Sequence, residues 1–227
     1  MTQNSVITLA LVLAAVLLVV GVVVYNADGA PRGSGVPEES ASPPSAAERA
    51  DLLVREDSRY LSRAKDADVT VVEFLDFECE ACRAQFPAME RLREEYEGRV
   101  NVVIRYFPMP GHTNSRPAAA AVEAAAQQGA LEEMYVMMYE TQAGWGESQE
   151  SKAELFVSFA KELDLDIGEF RETVDSPATE KRIDADFEDG VKLGVQGTPT
   201  IFVNGRQTES MPDYSTLSSM VDAELGE

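Results

Sequence analysis

The chain contains two cysteines, Cys79 and Cys82, three residues apart. They follow an apolar run, Val69 to Leu75, that is typical of a buried strand, and the residues after Cys79 have the spacing of a helix with one inward face. A thiol at the start of a helix lies at the positive end of the helix dipole, beside backbone N–H groups without helical partners. Both effects lower the thiol pKa, and the thiolate is the reactive form. The spacing therefore suits a reversible dithiol/disulfide pair, with Cys79 as nucleophile and Cys82 as resolving thiol.

Two other interpretations of the cysteines are open. Free buried cysteines are common, and two cysteines are also half of a structural zinc site. Such a site needs four ligands, whereas the chain has two Cys and one His, so we expect no metal. The position of the pair at a strand-to-helix junction favours redox chemistry. We therefore expect the redox-active disulfide Cys79–Cys82 in place of a bound cofactor.

The composition argues against several partners. The chain has 227 residues and a formal net charge of −21, from 40 acidic and 19 basic residues. Nucleic acids and anionic lipid surfaces attract basic proteins, so we expect neither as a partner. We interpret the excess of acidic residues as a solubilising surface.

The first 47 residues differ in character from the rest. After a short tail, residues 1–5, the uncharged stretch from Val6 to Tyr25 is about 20 residues long, enough to cross a bilayer as a helix. We predict an uncleaved membrane anchor, with a cleaved signal peptide as the alternative. Residues 26–47 are rich in Pro, Gly, Ser and Ala and predict a disordered tether. Because disulfides persist outside the cytosol, we predict a single-pass protein of the cell membrane with an extracytoplasmic catalytic domain, residues 48–227.

The folded domain begins with an α/β pattern. Apolar runs predict strands at residues 52–54, 69–75 and 100–107, and helical spacing predicts a helix over residues 80–97. The β-α-β order implies that the last two strands pair in parallel through a right-handed crossover. Both strands then end at the same sheet edge, so we expect Cys79 to neighbour the loop that carries His112.

A helical segment interrupts this plan. Residues 113–175 show helical spacing and no strand pattern, so we predict a helical insertion. Its methionines and tyrosines predict core packing, with an adaptable peptide-binding surface as the alternative; they are Met134, Tyr135, Met137, Met138 and Tyr139. Further on, residues 177–193 predict a helix, residues 201–203 a strand, Asn204-Gly205 a hairpin turn and residues 212–225 a closing helix.

These features together resemble the thioredoxin superfamily, specifically the membrane-tethered, DsbA-like thiol–disulfide oxidoreductases of bacteria. The resemblance covers residues from about Val69 to the C-terminus. It depends on the helical insertion and on these residues: Glu73, Phe74, Cys79-Glu80-Ala81-Cys82, Pro87 and Gly197-Thr198-Pro199-Thr200. The fold that it implies is α/β, a thioredoxin fold with an inserted helical domain.

The resemblance implies a role for each matching residue. Cys79 would exchange disulfides with a substrate cysteine, and Cys82 would resolve the mixed disulfide. Pro199 would follow a cis peptide bond and pack against the dithiol, while the backbone of Thr198 would pair with an extended substrate segment. Glu73 would be the buried acid that moves protons to and from Cys82. Its position in an apolar strand independently predicts a raised pKa, with an exposed charge on an edge strand as the alternative.

Two departures from the family bear on the direction of electron flow. Glu80 and Ala81 stand where the strongest oxidases have proline and histidine, and the charge of Glu80 opposes a Cys79 thiolate. Thr198, before the proline, resembles the isomerase members. His112 is a candidate source of positive charge from the neighbouring loop, and an ordinary loop histidine is the alternative.

The leading hypothesis is an enzyme, an extracytoplasmic thiol–disulfide oxidoreductase that is monomeric and donates disulfides to cysteine-containing secreted or cell-envelope proteins. The resemblance implies a membrane quinone-linked reoxidase of the DsbB or VKOR type as its partner. One alternative is a disulfide reductase or isomerase of the same fold. The other is a non-catalytic thioredoxin-like adaptor or holdase.

Overall fold

The computed structural model describes residues 44–209 and 211–227. The predicted tail, the predicted membrane anchor and residues 26–43 of the predicted tether lie outside the described residues. Within the described ranges, no helix has the length and apolar character needed to cross a bilayer.

The described chain begins with helix α1, Ala46–Leu53, which starts inside the range that predicts a tether. The side chain of Ser45 accepts a hydrogen bond from the Glu48 N–H, and the Glu48 carboxylate accepts one from the Ser45 N–H. This reciprocal capping box starts the helix. The strand predicted at residues 52–54 is therefore wrong: these apolar residues end a helix, and Leu53 is buried.

A mixed five-stranded sheet in the order β1-β3-β2-β4-β5 forms the centre of the domain. The strands are β1 Arg59–Ser62, β2 Val69–Leu75, β3 Val100–Tyr106, β4 Thr200–Val203 and β5 Arg206–Gln207. β2 and β3 are parallel, as predicted, and the other pairs are antiparallel. The edge strand β1 is not predicted from the sequence.

The remaining helices cover the two faces of the sheet. They are α2 Glu80–Glu95, α3 Ser115–Gln127, α4 Leu131–Thr141, α5 Ala153–Glu162, α6 Ile167–Val174, α7 Pro177–Leu193 and α8 Tyr214–Leu225, with a 3-10 turn at Gln142–Gly144. Helices α3 to α6 form the predicted insertion. The closing helix starts at Tyr214 rather than residue 212, because Asp213 caps it by accepting from the Thr216 N–H.

Strand alternation divides the core into two layers. Val71 and Leu75 face α2, α8 and the insertion, whereas Val72 and Phe74 face α1 and α7. Core packing is confirmed for four residues of the insertion, all buried: Met134, Tyr135, Met138 and Tyr139. The α/β fold class is thereby confirmed, and both cysteines lie at the carboxyl end of the central strand β2.

Candidate active site

The two cysteines lie at the start of α2, where the sequence predicts them. Cys79 is the N-cap residue and is partly buried, and Cys82, in the first turn, is fully buried. Both are free thiols. The Cys79 Sγ atom lies 3.4 Å from the carbonyl oxygen of Thr198, and the backbone N–H of Asp76 donates to the Cys82 Sγ atom at 3.5 Å. One thiol is therefore reachable from solvent and the other is enclosed.

The pKa values of the two thiols shift in opposite directions. A hydrogen bond from Cys82 is the largest cause that lowers the pKa of Cys79 to about 5. Burial opposes it, and the interaction with Thr198 and the N–H groups of Ala81 and Cys82 add to it. Burial, followed by the interaction with Cys79, raises the pKa of Cys82 well above 9.0. The lowered pKa of Cys79 agrees in direction with the effect predicted for a thiol at a helix start. Glu80, the acidic neighbour predicted to oppose the thiolate, is exposed to solvent and is not among the main causes of the Cys79 shift.

Glu73 is a buried acid in the middle of β2. Its side chain is 1% exposed, and its Oε2 atom has no hydrogen-bond partner among the described residues. Burial, with a contribution from the charge of Glu90, raises the pKa of Glu73 to about 8. The alternative of an exposed edge charge is wrong, because β2 is paired on both sides. The charge of Glu73 contributes to the raised pKa of Cys82, so the two groups are electrostatically linked.

The segment before β4 lies against the nucleophile. The Thr198–Pro199 peptide bond is cis, as the resemblance implies. The hydroxyl of Thr200 donates to the Gly197 carbonyl at 2.7 Å and closes the turn. Thr198 and Pro199 are only partly buried, so the backbone that contacts Cys79 remains accessible from outside.

Asp76, in the loop between β2 and α2, organises the surrounding loops. Its buried carboxylate accepts from the N–H groups of Glu78 at 2.8 Å and Met109 at 2.9 Å, and lies 2.7 Å from Nδ1 of His112. Its carbonyl accepts from the Cys79 N–H at 3.1 Å. Asp76 therefore joins the loop of the nucleophile to the loop after β3.

His112 is brought to the site by this contact. Burial lowers the pKa of the imidazole, but the hydrogen bond with Asp76 and the negative charge of Cys79 raise it more, so the pKa is above the ordinary 6.5. Its side chain is 29% exposed. The predicted proximity of the His112 loop to Cys79 is confirmed, and the histidine is positively charged over a wider pH range than a free one.

Two buried amides that sequence reasoning missed connect the insertion to the site. Gln142 donates to the carbonyls of Phe77 at 2.7 Å and Cys79 at 2.9 Å. The backbone N–H of Asn114 donates to the Glu78 carboxylate at 2.6 Å. Their partners are backbone groups or lie distant in sequence, so no spacing rule marks them in advance.

The family model described as Thioredoxin matches residues 63–223, which is more than half of the chain. The chain therefore belongs to the thioredoxin family. Its solved structural neighbours include a thioredoxin-like oxidoreductase from Silicibacter pomeroyi DSS-3, with a TM-score of 0.66 and 28% identity, covering 78% of this chain and 98% of that one.

Two curated relatives differ in how much of their length is matched. The chain is 33% identical over 166 residues to the probable disulfide bond formation protein D of Bacillus anthracis, covering 70% of this chain and 75% of that protein. It is 36% identical over 166 residues to the Na(+)/H(+) antiporter NhaA 3 of Salinispora tropica, covering 73% of this chain and 24% of that protein. The chain thus spans about a quarter of the antiporters that it matches. The resemblance to DsbA-like proteins is confirmed.

Proposed function

We propose that this protein is an extracytoplasmic thiol–disulfide oxidoreductase that exchanges disulfides with cysteine-containing secreted or cell-envelope proteins and acts as an oxidase. The observation that carries the proposal is the opposite ionisation of two thiols within one helical turn. At neutral pH Cys79, with a pKa of about 5, is a thiolate, whereas Cys82 is a buried thiol with a raised pKa. The similarity to a probable disulfide bond formation protein supports the same chemistry.

The first step opens the Cys79–Cys82 disulfide. A substrate thiolate attacks the Cys79 sulfur, so a substrate–Cys79 disulfide forms and the Cys79–Cys82 bond breaks. Cys82 leaves with the electron pair and takes up a proton. Glu73, with a pKa of about 8, is protonated at neutral pH and supplies that proton. During this step the Thr198 backbone pairs with the substrate segment, and Pro199 shapes the surface beside the dithiol.

The second step releases the oxidised substrate. A second substrate thiolate attacks the substrate sulfur of the mixed disulfide, and Cys79 leaves as a thiolate. Its low pKa makes it a good leaving group. The substrate has then lost two electrons, which the protein holds in the Cys79 thiolate and the Cys82 thiol. His112 and the hydrogen bonds at the start of α2 stabilise that thiolate and thereby favour the reduced form of the protein, which makes its disulfide an oxidant.

Turnover needs an oxidant that removes these two electrons. We propose a membrane quinone-linked reoxidase of the DsbB or VKOR type, on the strength of the family resemblance. The apolar stretch over residues 6–25 would anchor the protein in the same membrane as a single span, and the catalytic domain would act there as a monomer.

The proposal is tested by mixing the oxidised protein with a reduced two-cysteine peptide. We expect one peptide disulfide for each Cys79–Cys82 disulfide lost. Cys79→Ala should abolish the transfer. Cys82→Ala, mixed instead with the disulfide form of the peptide, should accumulate a mixed disulfide between Cys79 and the peptide, with release of the other peptide thiol, and dithiothreitol should remove it. Glu94→Gln, an exposed change on the same helix, is the control that should transfer normally. Absence of mixed disulfides from Cys82→Ala, with peptide or with cell-envelope proteins, would refute the mechanism, and faster insulin reduction than peptide oxidation would indicate a reductase.

A further inference from the structure

Gln142 reaches the nucleophile's loop from the helical insertion. It is the C-cap residue of α4 and the first residue of the 3-10 turn, and its side chain is buried. The single amide nitrogen donates to the carbonyl of Phe77 at 2.7 Å and to the carbonyl of Cys79 at 2.9 Å. Both N–H bonds of the amide are thus used on the two carbonyls that flank Glu78.

The loop that carries Cys79 is held on both of its edges. The N–H groups of Glu78 and Cys79 donate to Asp76, and Gln142 supplies donors on the carbonyl side. The Cys79 carbonyl also accepts from the Arg83 N–H at 3.2 Å, which is the first hydrogen bond of α2. A buried carbonyl that loses its donor costs about 1–3 kcal/mol. Loss of the Gln142 amide would therefore favour a rearrangement of this loop at Cys79, where α2 begins.

The turn that carries Gln142 is hydrogen-bonded and closely packed. The Gln142 carbonyl accepts from the N–H groups of Trp145 at 3.0 Å and Gly146 at 2.7 Å. Trp145 is buried and packs edge-on against Phe156 with ring centroids 5.0 Å apart. At Gly146 a Cβ atom would lie 3.1 Å from the Gln142 carbonyl oxygen, so a larger residue there would press on the turn. The packing of this turn therefore fixes the direction of the Gln142 side-chain amide.

We propose that Gln142 is a positioning residue of the redox site, which holds the Cys79 backbone so that the thiolate stays aligned with the first N–H groups of α2. The inference deepens the proposed function, since it takes Cys79 as the nucleophile. It gives the insertion a part in the chemistry: the helices that enlarge the fold also fix the start of α2.

The test titrates the thiolate of the reduced, full-length protein by its ultraviolet absorbance. Gln142→Leu keeps the size of the side chain and removes both donors. We expect its thiolate midpoint to rise by about one pH unit, which leaves about fivefold less thiolate at about pH 5. Gln85→Leu is the matched control, because Gln85 is also buried and donates to the Pro212 carbonyl at 2.9 Å, away from the Cys79 loop. This control should lose thermal stability and keep the wild-type midpoint.

The outcomes separate a positioning role from a structural one. A raised midpoint in Gln142→Leu, with an unmoved midpoint in Gln85→Leu, supports the proposal. If both variants lose similar stability and neither midpoint moves, Gln142 is a structural residue only and the proposal fails. If Gln142→Leu does not fold, Gln142→Asn replaces it, because the shorter amide cannot reach both carbonyls. A raised thiolate midpoint in that variant supports the proposal, and an unmoved midpoint refutes it. A wild-type midpoint near the ordinary 9.0 would instead refute the Cys79 thiolate and with it the proposed function.

Discussion

Replacement of Glu73 by glutamine should stabilise the protein while it slows the redox chemistry. Glu73 is buried, its Oε2 atom has no partner among the described residues, and its pKa is about 8. Glutamine has nearly the same shape and is neutral at every pH. The substitution therefore removes the cost of a buried titrating acid and leaves the packing in place.

The magnitude follows from the difference between the folded and unfolded pKa values of Glu73. The folded value of about 8 lies above the ordinary value of 4.5, so the native state binds a proton that the unfolded chain releases. Native stability from this group is fully present below pH 4.5 and is lost as the pH rises through 8. Each pH unit in this window costs about 1.4 kcal/mol, so Glu73 costs about 3 kcal/mol at about pH 7. Glu73→Gln should gain about that amount.

Urea unfolding of the reduced wild type and variant measures this gain. The difference in unfolding free energy should grow by about 2.5 kcal/mol between about pH 5.5 and about pH 7.5. Glu123→Gln is the matched control, because that buried carboxylate is paired with Arg59 and accepts from the Tyr106 hydroxyl. The same chemical change should there destabilise by about 3–5 kcal/mol. A Glu73→Gln protein that is no more stable than wild type, or a difference that does not vary with pH, would refute the reasoning.

The kinetic cost of Glu73→Gln is measured by rapid quenching of disulfide exchange. Without the acid, Cys82 must take its proton from water, and the opening of the Cys79–Cys82 disulfide should slow by about 100-fold. The thiolate midpoint of Cys79 should change little, because Glu73 is not among the main causes of its low pKa. An unaltered exchange rate would remove Glu73 from the proton-transfer role.

Three other predictions can be checked separately. The reduction potential of the dithiol should be about −200 mV, because a Cys79 pKa of about 5 lies between those of thioredoxin and of strong oxidants; glutathione equilibration measures it, and a value below about −260 mV would contradict this. His112→Gln removes the positive charge held by Asp76 and should lower that potential by about 30 mV. An unchanged potential would make His112 an ordinary loop residue. Gly190→Ala should lose about 1–3 kcal/mol in urea unfolding, because its Cβ would lie 2.7 Å from the Phe107 ring, whereas Gly144→Ala, with no atom within 4 Å, should change stability little.

The parts of the fold that can be predicted from the sequence are those with strong local signals. The unbroken apolar runs of β2 and β3 identify buried parallel strands. Helix α7 has proline at its first position and ends at Gly194, which adopts the left-handed conformation with φ of 87°. Asn204 and Gly205 both have positive φ, as the predicted hairpin turn requires. In each case the preferred local conformation and the tertiary contacts agree.

The elements that escape prediction depend on partners elsewhere in the chain. Strand β1 is four residues long, and its Arg59 pairs with Glu123, 64 positions later. The apolar residues at the end of α1 suit a strand as well as a helix, and the capping pair Ser45 and Glu48 decides between the two. Arg105, fully buried, then binds the carbonyls of Leu52 and Leu53 and holds α1 against the sheet.

At the active site, the sequence identifies the residues that react but not the residues that position them. Cys79 and Cys82 stand out as a pair of thiols at a strand-to-helix junction, and Glu73 stands out as an acid inside an apolar strand. Gln142 lies 65 residues from Phe77, whose carbonyl it binds, and Asp76 acts through backbone N–H groups. Amide and carboxylate side chains of this kind are common on any surface. Their role becomes visible only when the fold brings them next to the backbone of the Cys79 loop.

The acidic composition therefore does not determine the chemistry of the nucleophile. The chain has a net charge of −21, yet the pKa of Cys79 falls to about 5. Exposed carboxylates act through water, whose high dielectric and salt weaken them, whereas donors within hydrogen-bond distance act in a partly dry site. The buried carboxylate of Asp76 accepts from two backbone N–H groups and contacts His112. Short-range donors from Cys82 and from the first N–H groups of α2 thus lower the pKa of the Cys79 thiol, and the surface charge governs solubility and the approach of partners.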